Sequence, residues 1–225
     1  MAFYEFDGAR VEVPANGRYW VADNAALIRD LDPGAADLEG YLFPETYALP
    51  RGTTAAAVVA QMVDAFKNAL TPEIRSHATA AGLSIRQLVT LASLVEKETG
   101  TAAERPLVAA VYANRLKIGM GMQADPTVIY ALQKAGTYTG NLRRDDLQFD
   151  SPYNTYRYPG LPPGPIAAPG KASLEAAAKP ADVDYLYFVS KNDGSHVFAS
   201  SLEGHNRNVQ TWQRDYFRQR RQNAR

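Results

Sequence analysis

The chain has 225 residues, 46% of them apolar, with 24 Lys+Arg against 24 Asp+Glu and no cysteine. This length and apolar content support one sizeable core, and the zero net charge argues against a nucleic-acid or anionic-membrane binder. The lack of cysteine removes a disulfide frame, a thiolate nucleophile and any Cys-based metal site, and no run approaches the ~18 apolar residues of a membrane span.

In chain order, residues 1–20 read as short strands and turns, "FYEF", "DGARVEV" and "PANG". Acidic residues come early and no apolar h-region follows, so the start does not read as a signal peptide. A short helix is expected from about Ala25 to Asp32, then an extended, proline-punctuated connection, "LEGYLFPETYALPRG". Thr53 or Thr54 can cap a helix running to about Leu70. Thr71-Pro72 starts another, which ends before Gly82. "SIRQ" is a capping box, Ser84 with Gln87, opening a helix that Gly100 is expected to close. A further helix is expected from Ala103 to Ile118, and Asp125-Pro126 starts one through Tyr130 to Lys134. Residues 136–170 are loop-rich and include "DSPYNTYRYPGLPPGPIAAPG"; so long a loop in a compact domain is usually functional. Ser173 is expected to cap "LEAAAK". "YLYFVS-KNDG-SHVFAS" carries a β-hairpin signal. A last helix is expected from about Leu202 to Arg220, and its basic end reads as solvated. The fold class that follows is α+β: helix-rich, with a β-hairpin, a long Tyr/Pro/Gly loop and a short N-terminal strand-forming segment.

Few chemistries fit. His77, His196 and His205 stand at no ligand spacing, so no metal site is expected. There is no G-x-S-x-G. "PGLPPGPIAAPG" is glycine-rich, but its prolines have no N–H to offer a phosphate. What remains is carboxylate chemistry, and it centres on "LVTLASLVEKETG", Leu88 to Gly100. On a helical wheel of about 100° per residue, Glu96 lies among Ile85, Leu88, Val89, Leu91, Ala92 and Val95. Glu98 lies at about 160° from it, beside Arg86, Gln87, Thr90 and Lys97. Glu96 is therefore expected in the apolar arc and Glu98 nearer the solvated one. The apolar surroundings and the C-terminal end of its own helix both disfavour a charge on Glu96, as a general acid at a glycosidic oxygen requires. The alternative reading pairs Glu96 with Arg105 or Arg115 on an adjacent helix.

Five stretches carry a resemblance: "LEGYLFPETY", "LASLVEKETG", "VAAVYANRLKIGMGMQADPTVIYAL", "SPYNTYRYPGLPPGPIAAPGKASLEAAAKPADVDYLYFV" and "FASSLEGHN". In order from about Ala26 to Trp212, the chain resembles the YceG-like family, the bacterial endolytic murein transglycosylases. The resemblance implies cleavage of the MurNAc-β-1,4-GlcNAc bond inside peptidoglycan strands without water and without a cofactor. The muramic C6 hydroxyl attacks its own anomeric carbon and leaves a 1,6-anhydro end. One glutamate acts as acid and then base, and the motif aligns it with Glu96. Gln123, Asp125 and Thr127 look like family pocket residues, although Asp125 also reads as a plain helix N-cap. Tyr153, Asn154, Thr155 and Tyr156 are candidates for saccharide contacts or for a packed loop. Glu98 is read as a supporting residue. Glu45 and Tyr47 either line the cleft or join subdomains, and His205 and Asn206 are read as anchors of the last helix.

The implied partners are peptidoglycan glycan strands and cell-wall synthases, and the implied location is the periplasmic or cell-surface face of the inner membrane. The catalytic domain is expected over residues 28–225. Residues 1–27 form a segment of uncertain role, with some likeness to the opening of hexapeptide-repeat proteins. The membrane helix and most of the LysM-like region typical of the family are expected to be missing, so that membrane contact would need an anchor outside this chain.

Overall fold

A helix in which every residue from Leu88 to Val95 is buried forms the axis of the protein. The computed structural model describes residues 25–223 and, by their backbone, residues 3–6 and 9–12. Two short strands, β1 (Phe3–Phe6) and β2 (Ala9–Glu12), pair antiparallel with Phe3 opposite Glu12. Then come α1 (Ala55–Ala69), α2 (Pro72–Ala80), the axial α3 (Ile85–Glu98), α4 (Arg105–Lys117), α5 (Asp125–Lys134) and α6 (Lys171–Ala178). Strands β3 (Tyr187–Ser190) and β4 (His196–Ala199) form an antiparallel hairpin, with Ser190 opposite His196. Helix α7 (Leu202–Val209), a π-helical stretch and α8 (Tyr216–Asn223) close the chain. The fold is α+β. The "PANG" turn, and most of the segment 1–27, lie outside the described residues.

The helix starts follow their capping chemistry. Thr54 accepts from the Ala57 N–H, Thr71 accepts from the Ile74 N–H ahead of Pro72, and Ser84 and Gln87 exchange both capping-box bonds. Helix α3 packs against α2, α4, α5 and α6. Its Leu88, Leu91 and Leu94 share one core with Phe66, Leu70, Ile74, Val108, Tyr112 and Leu174. A helix enclosed on several sides has little solvated arc along its middle.

Four local expectations are corrected. The helix expected over Ala25–Asp32 is a single 3-10 turn, Ala25–Leu27. Asp32 instead accepts from the Gly34 N–H (3.2 Å), the Tyr41 hydroxyl (2.5 Å) and Arg86 of α3 (Nη2 at 3.1 Å), which pins this segment to α3. Helix α3 is not closed by a left-handed Gly100. Thr99 is its C-cap, with extended backbone, φ −140°, and its side chain is turned inward to donate to Glu104 Oε2 (3.3 Å) and to accept from the Thr101 N–H. Ala124 rather than Asp125 is the N-cap of α5. Gly170 rather than Ser173 is the N-cap of α6, and the Ser173 side chain is engaged elsewhere.

The long loop has one 3-10 turn, Asp145–Gln148, and is otherwise held by side-chain bonds to backbone. Asn154 Nδ2 donates to the Leu147 and Phe149 carbonyls, and Ser93 of α3 accepts from the Ile166 N–H at 3.0 Å. Gly40 (φ +84°) lets the loop approach closely, since a Cβ there would lie 2.4 Å from Pro165 Cβ. Leu94 is fully buried between these layers. Leu94→Ala is expected to destabilise the protein by about 2–5 kcal/mol, read as a lower midpoint in chemical denaturation with an unchanged slope.

Candidate active site

The last turn of α3 carries Glu96 and Glu98 on opposite sides of the helix, and each meets a different helix. Glu96 faces the start of α6. Its Oε2 accepts from the Gly170 N–H at 3.2 Å and from the Ser173 hydroxyl at 2.6 Å. Ser173 is fully buried, and its oxygen also accepts from Arg105 Nε at 3.2 Å. Arg105 thus reaches Glu96 through Ser173. The carboxylate thus meets the N-terminus of a helix in another part of the chain, a contact that no sequence signal exposed.

Glu98 departs from its expected place near solvent. It is partly accessible, and its Oε1 accepts from the hydroxyl of Tyr112 at 2.7 Å. Tyr112 itself is 1% exposed. Leu91, Leu94 and Val95 stand seven, four and three residues before Glu98, and all three are buried. Tyr112 of α4 meets Glu98 at the end of this stripe, while Lys97 on the polar side stays exposed. Burial pushes the Glu98 carboxyl above the usual carboxylate range. Asp125 adds to this, while the Tyr112 hydrogen bond, His196 and Arg115 pull the other way.

Two of the other candidates gather here. The Tyr156 hydroxyl donates to Asp125 Oδ1 at 2.6 Å. Burial and Asp125 push that hydroxyl upward, and Glu98 contributes further. Asp125 opens α5, where the helix N-terminus favours its charge. Gln123, two residues earlier, is exposed and adopts φ +51°, a left-handed backbone that non-glycine residues rarely take. Glu98, Asp125 and Tyr156 therefore form a group that can give, hold and receive protons, with Gln123 at its edge.

The remaining candidates lie elsewhere or face inward. Thr127 and Thr155 are buried and bond to each other (Oγ1–Oγ1 2.9 Å) and to the Ala124 backbone. Asn154 is fully buried and holds the long loop. These three are internal stitches, without free polar groups for a saccharide. Tyr153 is half-buried against Tyr130, with ring centroids 4.8 Å apart and Lys134 Nζ over both rings. Glu45 is exposed, and the Tyr47 hydroxyl donates to the Phe43 carbonyl, so both remain within the N-terminal connection. His205 stacks on Tyr187 of β3, 5.0 Å between centroids.

Sequence reasoning missed Tyr112, Ser173 and a clasp between β4 and the segment after α3. In that clasp, Glu104 accepts from the His196 N–H (2.8 Å) and pairs with His196 Nδ1 (2.7 Å). Burial alone would raise the Glu104 carboxyl, but the two His196 hydrogen bonds hold it below the usual range. No local sequence signal links residues so far apart. For Glu98 a signal existed, in the Leu91–Leu94–Val95 stripe.

Comparison with known proteins agrees on one family. The model of the YceG-like family matches residues 10–211. A protein of Bacillus subtilis (strain 168) named endolytic murein transglycosylase is 42% identical over 170 residues, 76% of this chain and 46% of that protein. One of the same name from Streptococcus pneumoniae serotype 2 is 38% identical over 197 residues, 84% of this chain and 35% of that protein. The chain thus spans less than half the length of these curated relatives. A crystal structure of a YceG-like protein from Listeria monocytogenes superposes with TM-score 0.72 at 35% identity, covering 83% of this chain and 64% of that one.

The two shifted carboxyls have opposite linkage. Glu98 binds its proton more tightly folded than unfolded, so its ionisation costs stability as pH rises through its folded value. Glu104 binds its proton less tightly, so its contribution is full at neutral pH and is lost as pH falls through its folded value. Glu98→Gln is therefore expected to melt above the wild type at about pH 7, the gain shrinking as the pH is lowered toward the ordinary glutamate range of about 4.3. Thermal melts across pH check this; a Glu98→Gln protein less stable at neutral pH would contradict it.

Proposed function

The chain belongs to the YceG-like family, and on that premise we propose that it is the catalytic portion of an endolytic peptidoglycan lytic transglycosylase, with Glu98 rather than Glu96 as the acid and base. The observation that carries this reading is the contrast between the two carboxylates. A general acid must hold a proton near neutral pH and reach the substrate. Glu98 is held by one hydroxyl, is pushed above the usual carboxylate range by burial and is still partly accessible. Glu96 has one oxygen committed to the Gly170 N–H and the Ser173 hydroxyl, which ties it to the start of α6. The names of the relatives support the substrate class.

The reaction then runs as follows. The Glu98 carboxyl gives its proton to the glycosidic oxygen, and the bond from that oxygen to the muramic C1 breaks. The C6 hydroxyl of the same muramic residue attacks C1. Glu98, now a carboxylate, takes the hydroxyl proton, which leaves a 1,6-anhydro end and regenerates the acid. One carboxyl suffices, whereas two-carboxylate hydrolysis needs a second to activate water or to form a covalent intermediate. The Tyr112 hydroxyl, donating to Oε1, fixes the carboxyl rotamer, so that Oε2 carries the transferred proton. Asp125, at the start of α5, lies where its carboxylate can stabilise positive charge developing at the sugar ring. Tyr156 holds that carboxylate and offers a ring face to a sugar. The substrate places this work at the periplasmic or cell-surface face of the membrane, with cell-wall synthases as partners.

The test is mass spectrometry of purified peptidoglycan strands after incubation with the wild type, Glu98→Gln and Glu96→Gln. Wild type is expected to produce internal 1,6-anhydro ends. Loss of general acid–base catalysis should slow Glu98→Gln by about 10²–10⁴-fold, while Glu96→Gln keeps a measurable rate. Reducing ends from the wild type would indicate hydrolysis instead, and a dead Glu96→Gln beside an active Glu98→Gln would return the acid to Glu96.

A further inference from the structure

Arg115 of α4 is 8% exposed and carries its charge into the interior. Its Nε donates to the Leu186 carbonyl at 2.7 Å, just before β3. Its Nη1 donates to the Gly121 carbonyl at 3.2 Å and to the Met122 carbonyl at 2.5 Å. These acceptors belong to the strand entry and to the turn that leads through Gln123 into Asp125. The guanidinium also lies over the Tyr187 ring, 5.4 Å from its centroid. Arg115 follows Tyr112 by three residues, so both side chains leave the same side of α4. One faces the Glu98 carboxyl directly, and the other braces the segment that carries Asp125.

The geometry points to Arg115 as the positioning residue of the Glu98 site: its fork holds the Gly121–Asp125 turn and the β3 entry on α4, and its charge balances the carboxylate that Glu98 becomes after giving up its proton. This rests on Glu98 being the acid and base. In mid-reaction Glu98 is a desolvated carboxylate near Asp125, an arrangement that is costly without a compensating cation. The groups facing Glu98 are Tyr112 and Arg115 from α4, Asp125 from α5, Tyr156 from the long loop and His196 from β4. Of these Arg115 is the permanent cation. His196 is already committed to Glu104 through Nδ1. His205, stacked on Tyr187, is held below the usual histidine range first by burial and then by Arg115 itself. Lysine at 115 would keep the charge, but it cannot span two backbone segments with a planar fork.

The test separates the charge from the fork and reads the carboxyl directly. The Glu98 side-chain carboxyl carbon is followed by NMR as a function of pH in the wild type, Arg115→Met and Arg115→Lys, with Glu98→Gln identifying the signal. Strand cleavage is measured alongside. In Arg115→Met the carboxyl is expected to titrate about one pH unit higher, roughly tenfold in proton affinity. The alkaline limb of the cleavage profile should move up with it, while the maximal rate falls at least tenfold. In Arg115→Lys the titration stays near that of the wild type and the maximal rate still falls. Should Arg115→Met not fold, as judged by circular dichroism, the Arg115→Lys pair of readings decides. An unmoved Glu98 titration in folded Arg115→Met, a shifted one in Arg115→Lys, or wild-type rates in either would overturn the role of Arg115. Full activity of Glu98→Gln would instead overturn the reading beneath it.

Discussion

The enclosure of α3 is the constraint on which the rest of the molecule depends. A helix buried along its middle must be covered by neighbours on several sides, and α2, α4, α5 and α6 supply that cover. In its last turn Lys97 reaches solvent, while the two glutamates beside it are only partly exposed. Both carboxylates of the turn are delivered to other helices, and each finds a hydroxyl, Ser173 for Glu96 and Tyr112 for Glu98. Their difference in character comes from what lies behind the hydroxyl. Beside Ser173 is the Gly170 N–H of a helix start, which donates to the same Glu96 oxygen. Behind Tyr112 is apolar packing.

The long loop is ordered without regular structure because its polar groups bond internally. Asn154, Thr155 and Thr127 satisfy backbone groups that no sheet or helix would satisfy, and Ser93 reaches out from α3 for the Ile166 N–H. Buried backbone must be paired, and here side chains do the pairing. That work removes three residues from the set available to a ligand and leaves Tyr156, partly exposed, and Gln123, exposed, as the neighbouring candidates.

Local signals in the sequence were reliable where the chemistry was local. Thr54, Thr71 and the Ser84–Gln87 box start helices where their side chains say they should, and the Asn-Asp-Gly turn makes its hairpin. The different surroundings of the two glutamates in "LVEKETG" were not legible from one helical wheel, because a wheel describes a helix in isolation. It cannot register that Tyr112 of α4 meets Glu98 or that Gly170 and Ser173 at the start of α6 meet Glu96. Ser173 was misread for a related reason: a serine near a helix start normally caps its own helix, and here its hydroxyl serves Glu96 instead. Arg115 gave no signal, since its acceptors are backbone carbonyls and those have no sequence identity.

The bonds that build the site span long stretches of chain. Gly170 and Ser173 are 74 and 77 residues from Glu96, Leu186 is 71 from Arg115, and His196 is 92 from Glu104. The capping bonds that start the helices span three residues. Closing long loops costs entropy before the contacts can repay it. During folding, helices α1 to α4 can therefore form early from local contacts, while the surroundings of Glu96 and Glu98 wait for residues far downstream. A nascent chain that has emerged only as far as α5 holds Glu98 and Tyr112 but neither Tyr156 nor the strand entry that Arg115 braces. The candidate site is assembled by the last third of the chain, so its geometry is complete only when the fold is nearly whole.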